Sequence, residues 1–256
     1  MMPEVLTTAL LALAGAAVGS FLNVCILRLP ARQSIVSPGS RCPHCARALR
    51  WYENVPIVSW IRLRARCAGC GHRISMMYPL VEVATAVTFV AAWRAFGPTP
   101  LLATRLIFLS ALIVLAVTDL RERLLPNAIT LPGIIVGLVC SLVAPPGPVS
   151  AVLGVVIGGV VPFVVGEIYY RVRGVDGLGM GDVKMLAMIG AFLGAPLALL
   201  TLFAASFLGV VVGIPIIILT RNRDYPVPLG TLLSASAFAA AFAGQGIINW
   251  YTGLYW

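Results

Sequence analysis

Apolar positions in this chain are gathered into eight runs, at about residues 5–27, 79–96, 101–118, 128–144, 149–168, 183–193, 197–219 and 229–250. Most are long enough to cross a hydrocarbon core as α-helices, which takes about 20 residues, and the pattern predicts membrane spans. The sixth run is short, and a re-entrant or tilted helix is the alternative there. Glycine pairs recur at one-turn spacing inside the runs: Gly15 and Gly19, Gly133 and Gly137, Gly154 and Gly158, Gly190 and Gly194, Gly209 and Gly213. So many small-residue steps predict close helix packing within one bundle rather than a dimer motif on a single helix.

The polar breaks between runs alternate in chemistry. Gly97-Pro-Thr-Pro100, Pro145-Pro-Gly-Pro148 and Ala195-Pro196 carry no charge, whereas other breaks hold Arg121 and Arg123, Arg171 and Arg173, and Arg221 and Arg223. The longest polar stretch, from Arg28 to Tyr78, holds nine Arg and no Lys, and the positive-inside tendency assigns it to the cytoplasm. Eight spans then place both termini outside, with the aromatic tail from Trp250 to Trp256 at an interface. Glu4 precedes the first run and Arg28 and Arg32 follow it, the reverse of a secretory signal peptide, so the run is expected to be retained. Arg94 and Arg105 fall on the uncharged side and are expected to snorkel outward.

Composition agrees with this pattern. The chain is 60% hydrophobic and only 11% charged, and its mean hydropathy is +0.98. Those values exclude an ordinary soluble domain. A net charge of +9 is compatible with nucleic-acid binding, but the Arg residues are scattered between apolar runs with little aromatic interleaving, so they read as topology determinants. The expectation is an all-α polytopic membrane protein of about eight transmembrane helices with a small cytoplasmic insert between helices 1 and 2. The segments are a first transmembrane helix at 1–27, the insert at 28–78, and the remaining helices at 79–256. A monomer in the lipid bilayer is expected, with an oligomer as the alternative and no nucleic-acid partner.

Four of the six cysteines lie in the insert, as Cys42-Pro-His-Cys45 and Cys67-Ala-Gly-Cys70. Two C-x-x-C steps about twenty residues apart match the spacing by which paired knuckles give four thiolates to tetrahedral zinc. A reducing cytoplasm disfavours disulfides, and a segment with so few aliphatic residues needs a metal to order it. Four thiolates close the site, so the zinc is expected to be structural. His44 and His72 are flanking residues, and Cys25 and Cys140 are small hydrophobes within apolar runs.

Two carboxylates stand at membrane edges on the side of the Arg-rich breaks: Asp119 closes the third run, and Asp182 opens the sixth within Gly177-Leu-Gly-Met-Gly-Asp182. Asp182 alone admits a plain reading as a helix N-cap. A second carboxylate at the same face opens another reading, an acid and base pair for peptide hydrolysis that shares one proton. Glycines at 177, 179 and 181 suit close approach of an extended substrate and permit positive φ, or form an ordinary flexible loop.

These residues carry a resemblance. Gly19-Ser-Phe-Leu-Asn-Val24 with Arg28-Leu-Pro30, Ser37 to Cys45, Leu49 to Pro56 with Ser59-Trp60, the second cysteine pair, Tyr78-Pro-Leu-Val-Glu82, Asp119 with Leu125-Pro126, and Gly179-Met-Gly-Asp182 together resemble the type IV prepilin leader peptidase and N-methyltransferase family. Its members are Gly-x-Gly-Asp aspartyl proteases. The resemblance implies that Asp119 and Asp182 are catalytic and that Cys42, Cys45, Cys67 and Cys70 bind Zn2+; Gly179 and Gly181 are read as substrate contacts, and Glu82, at a position that matches the family, as holding a substrate or cofactor amine. It implies cleavage of the short basic leader of type IV prepilins or type II secretion pseudopilins, then methylation of the new amine by S-adenosylmethionine, in the bacterial inner membrane with the site at its cytoplasmic face. No glycine-rich nucleotide fingerprint is present, so no residue is assigned to that cofactor. Glu82 also fits an interfacial carboxylate paired with Arg, and Lys184 an interfacial anchor.

Two departures stand out: Pro228-Leu-Gly-Thr231 where the family commonly has Pro-Phe-Gly-Pro, and Ala65 where Gly is common. The first is expected to alter how the last helix enters the membrane. The rival readings are a leader peptidase without methyltransferase activity, which the four cysteines oppose, and a non-enzymatic assembly factor with a zinc knuckle.

Overall fold

A computed structural model describes residues 2–174, 179–220 and 228–253. Gly177, Arg221, Arg223 and the last residues of the aromatic tail lie outside the described residues. All eight apolar runs are helical: α1 (Met2–Arg28), α3 (Met77–Phe96), α4 (Pro100–Glu122), α5 (Asn127–Cys140), α6 (Pro148–Val155) continued through a π turn (Val156–Val160) into α7 (Val161–Arg173), α8 (Met180–Leu193), α9 (Ala195–Thr220) and α10 (Leu229–Gly253). A short helix α2 (Val58–Arg62) lies in the insert.

Six of these segments are long and apolar enough to cross a membrane. The other two apolar runs, α5 and α8, have 14 residues each. At 1.5 Å per residue such a helix rises only about 21 Å, short of a hydrocarbon core of about 30 Å. The length of α8 reflects its environment: every residue from Met185 to Leu193 is buried, with α5, α6 and the π turn packed around it. A helix enclosed by protein need not match the bilayer thickness.

The chain forms two compact units, Met1–Pro98 and Thr99–Trp256. In the first unit α3 packs along α1, and the glycine steps of α1 explain how closely. A Cβ on Gly15 would lie 2.7 Å from the Ala86 Cα, and one on Gly19 would lie 2.7 Å from the Glu82 Cα. Asn23 and Glu82 are buried in this unit; the Asn23 side-chain amide donates to the Tyr78 carbonyl at 3.0 Å.

In the second unit the same device surrounds α8. Gly154 faces the backbone of Gly190, Gly158 faces Leu186, and Gly137 faces Ala191 and Phe192. Gly194 is closely packed too, since a Cβ there would lie 2.9 Å from the Pro146 Cβ, and its φ of +81° also ends α8, a conformation that a Cβ would strain. The carbonyl of Phe192, in the last turn, accepts from Arg105 Nη1 at 3.1 Å. Arg105 is therefore a buried residue, 6% exposed, and the expectation that it snorkels is corrected. A short helix that ends away from water needs donors for its terminal carbonyls, and a guanidinium supplies one where the helix dipole is negative. Arg94 is exposed, as expected.

Candidate active site

Asp119 is in the last turn of α4, which stops because Arg123 takes a left-handed conformation, φ +53°, and gives its N–H to the Asp119 carbonyl. Leu124-Leu125-Pro126 follows, and the proline cannot continue the helix. The Asp119 side chain is 6% exposed and points to the start of α10. Its Oδ2 accepts the backbone N–H of Thr231 at 2.6 Å and the Thr231 hydroxyl at 3.0 Å. Gly230 makes the approach possible, since a Cβ there would fall 2.9 Å from the Asp119 Cγ. The carboxylate thus satisfies an orphan amide of α10, at the helix end where the dipole favours negative charge.

Asp182 is in the first turn of α8 and half-buried. A Cβ on Gly179 would lie 2.9 Å from its Oδ2, and one on Gly181 would lie 3.3 Å from the Leu125 Cβ. Gly179 has an ordinary extended conformation, φ −64°, so the glycine is explained here by space rather than by positive φ. Leu125 also approaches Gly230, which places one leucine against the glycine neighbours of both carboxylates. Lys184, two residues after Asp182, donates to Asn127 Oδ1 at 3.1 Å and ties the starts of α8 and α5 together.

Glu82 belongs to the first unit. Its carboxylate accepts the Ile57 N–H at 2.7 Å and hydrogen bonds with Ser20. Its partners are thus a backbone amide and a serine, not the arginine expected on the plain reading. Ile57 holds φ +60°, unusual for a β-branched residue, and its amide is fixed by this bond at the entry to α2.

The sulfurs of Cys42, Cys45, Cys67 and Cys70 all lie within 4.8 Å of one another, with Cys42 and Cys70 at 3.8 Å. Four thiolates on a tetrahedral ion with bonds of about 2.3 Å are separated by about 3.8 Å, so the cluster has room for one such ion. The two knuckles repeat one design. In each, the first cysteine's carbonyl accepts from a residue with positive φ, Ala46 or Gly71, and a single antiparallel bridge closes the turn, Arg41 to Ala48 or Arg66 to Arg73. The N–H groups of Cys70 and Gly69 pull the Cys67 thiol down to about 6, which favours the ligating thiolate. His44 and His72 stack on each other with ring centroids 4.4 Å apart.

Sequence reasoning missed Glu53 and Arg47. Arg47 Nη2 donates to both carboxylate oxygens of Glu53, at 2.9 and 3.0 Å, Glu53 also accepts the Arg50 N–H, and Arg47 reaches Cys67. The signal was present: Glu53 is the one acidic residue among nine arginines between residues 28 and 78.

Residues 13–96 match the Bacterial Peptidase A24 N-terminal domain, and residues 106–214 match the Type IV leader peptidase family. A prepilin leader peptidase/N-methyltransferase of Aeromonas hydrophila is 34% identical over 91% of this chain and 90% of its own length. The chain belongs to the type IV leader peptidase family. A relative of the same description from Bacillus subtilis (strain 168) is 33% identical over 93% of this chain and 94% of its own length. Another, from Myxococcus xanthus (strain DK1622), is 44% identical over 83% of this chain, which spans 63% of that relative's length. No solved structure matches the chain. The two family matches fall within the two structural units: the cysteine cluster and Glu82 in the first, both aspartates in the second.

Proposed function

We propose that this protein is a membrane aspartyl endopeptidase that removes the short basic leader of type IV prepilins or type II secretion pseudopilins and N-methylates the residue it exposes. The relatives' description as prepilin leader peptidase/N-methyltransferase supports both reactions. The observation that supports the site is that Leu125 borders both Gly181, beside Asp182, and Gly230, beside Asp119, although the two acids are 63 residues apart in sequence. Two carboxylates in mutual reach cannot both ionise cheaply, so the pair holds one proton. The ionised member takes a proton from a water as the water oxygen bonds to the scissile carbonyl carbon, and the protonated member gives its proton to the carbonyl oxygen. Breakdown of the tetrahedral adduct then returns a proton to the departing amine. Gly179 and Gly181 keep backbone, rather than side chain, beside Asp182. Glu82 serves the first unit by fixing the Ile57 amide.

Methyl transfer requires an uncharged α-amine held in line with an electrophilic methyl group, which S-adenosylmethionine supplies when bound. That step depends on positioning more than on acid–base chemistry. Cys42, Cys45, Cys67 and Cys70 hold a structural Zn2+ that orders the insert. The site faces the cytoplasm from the bacterial inner membrane, as the nine arginines of the insert favour.

The test is the N-terminal mass of a co-expressed prepilin. Asp119→Asn and Asp182→Asn should each abolish leader removal with the protein still inserted, whereas substantial cleavage by both would end the reading. Asp182→Asn should still add one methyl group to a pre-cleaved pilin supplied in detergent. If wild type methylates that substrate and the variant does not, the aspartates belong to both reactions.

A further inference from the structure

The two carboxylates are not equivalent. Asp119 Oδ2 accepts two donors from one residue, the Thr231 N–H and the Thr231 hydroxyl, whereas no donor is recorded on the Asp182 carboxylate among the described residues. The amide is fixed by the first turn of α10 and cannot turn away. Its hydrogen occupies the place where a proton on Oδ2 would sit, and a donor 2.6 Å from that oxygen leaves no room for a second hydrogen between them. With the Thr231 hydroxyl on the other lone pair, both acceptor sites of Oδ2 are filled, so a proton arriving at Asp119 goes to Oδ1.

The hydroxyl has a choice that the amide lacks. Thr231 Oγ1 lies 3.0 Å from Asp119 Oδ2 and 3.2 Å from the Ala116 carbonyl, and it has one hydrogen for two acceptors. With Asp119 charged, the carboxylate is the stronger acceptor. Once Asp119 has gained a proton, the hydroxyl can turn to Ala116, and neither arrangement leaves a buried polar group unpaired.

We propose that Thr231 is a positioning residue that dedicates Asp119 to the role of general base, leaving Asp182 as the member that holds the shared proton and delivers it to the substrate carbonyl oxygen. This deepens the reading of the two aspartates as a catalytic pair and rests on it. In the step so assigned, the water's proton passes to Asp119 Oδ1 as its oxygen bonds to the carbonyl carbon. Asp182 protonates the carbonyl oxygen, and the Thr231 hydroxyl turns from Oδ2 to Ala116.

The experiment compares Thr231→Val, which keeps the branched shape without the hydroxyl, with Thr231→Ser, which keeps the hydroxyl, on a purified prepilin in detergent. A hydrogen bond to a charged group predicts about a 10- to 100-fold loss of kcat in Thr231→Val with KM unchanged. Thr231→Ser should stay within about twofold of wild type. Unfolding temperature and metal content confirm that each variant is folded. Asp119→Asn and Asp182→Asn are run beside them. If those two cleave, the catalytic pair itself is wrong and this proposal falls with it. If they are inactive while Thr231→Val keeps wild-type kcat, or raises KM alone, the pair stands and Thr231 has no such role. Equal losses in Thr231→Val and Thr231→Ser would also overturn it, since the hydroxyl would then not be the operative group.

Discussion

The close seam between α6 and α8 makes a quantitative prediction, because Asp182 is carried on the same rigid helix. A Cβ on Gly154 would lie 2.7 and 2.9 Å from the Gly190 carbonyl carbon and Cα, and one on Gly190 would lie 3.0 Å from the Gly154 Cα and nearer still to its carbonyl. Both obstacles are backbone, which has no rotamer by which to move aside. Gly190→Ala therefore requires the helices to separate by about 1 Å, a form of overpacking that costs roughly 1–3 kcal/mol. The gain from replacing a helical glycine offsets about 0.5–1 kcal/mol of that. Gly190 is eight residues from Asp182, about 12 Å along the axis, so a shift of α8 moves the carboxylate as well. A 1 Å misplacement at reacting groups costs on the order of 100-fold in rate. Gly246→Ala in α10 is the internal control, since a Cβ there meets nothing within 4 Å. Thermal unfolding in detergent should rank Gly190→Ala below wild type and Gly246→Ala level with or above it, and leader cleavage should fall only in the first. Equal unfolding temperatures for the two variants, with cleavage intact in both, would refute the seam.

Other predictions follow from the same geometry. Cys42→Ser or Cys70→Ser should lower bound zinc from one per chain to below stoichiometric, measured by metal analysis, with loss of order in the insert seen as faster proteolysis between residues 28 and 78. Arg47→Met or Glu53→Gln should speed removal of the metal by a chelator at pH 7 by roughly tenfold, because these residues steady the Cys67 thiolate from outside the ligand set. Arg105→Met should destabilise the protein by about 1–3 kcal/mol through the lost donor to Phe192, with Arg105→Lys closer to wild type in the same unfolding assay.

Hydropathy made all eight helices legible, because a run of aliphatic residues between polar breaks has few other structures open to it. Its limit was depth. α8 reads like any short apolar run, and only its enclosure by α5, α6 and the π turn shows why 14 residues suffice. Arg105 was misread for the same reason: its partner is the end of a helix 87 residues later, and no local pattern reports that. The cysteine cluster was legible from spacing alone, because each knuckle is a local turn. Asp119 and Asp182 were picked out by their position at run ends, but the asymmetry between them was hidden. Thr231 stood out only as a departure at a helix entrance, and its bond to Asp119 spans 112 residues.

The capping of α10 by Asp119 bears on inhibitor chemistry. A guanidinium or amidine grips a carboxylate through both oxygens at once, and here one of the two is already engaged by a backbone amide that cannot leave without fraying the last helix. Such fork-shaped cations are poorly matched to Asp119. On the roles proposed for the two acids, a compound that offers Asp119 a single hydroxyl or ammonium hydrogen at Oδ1 and presents an acceptor to Asp182 suits the pair, and its selectivity over carboxylate pairs with four open oxygens would come from that one occupied position.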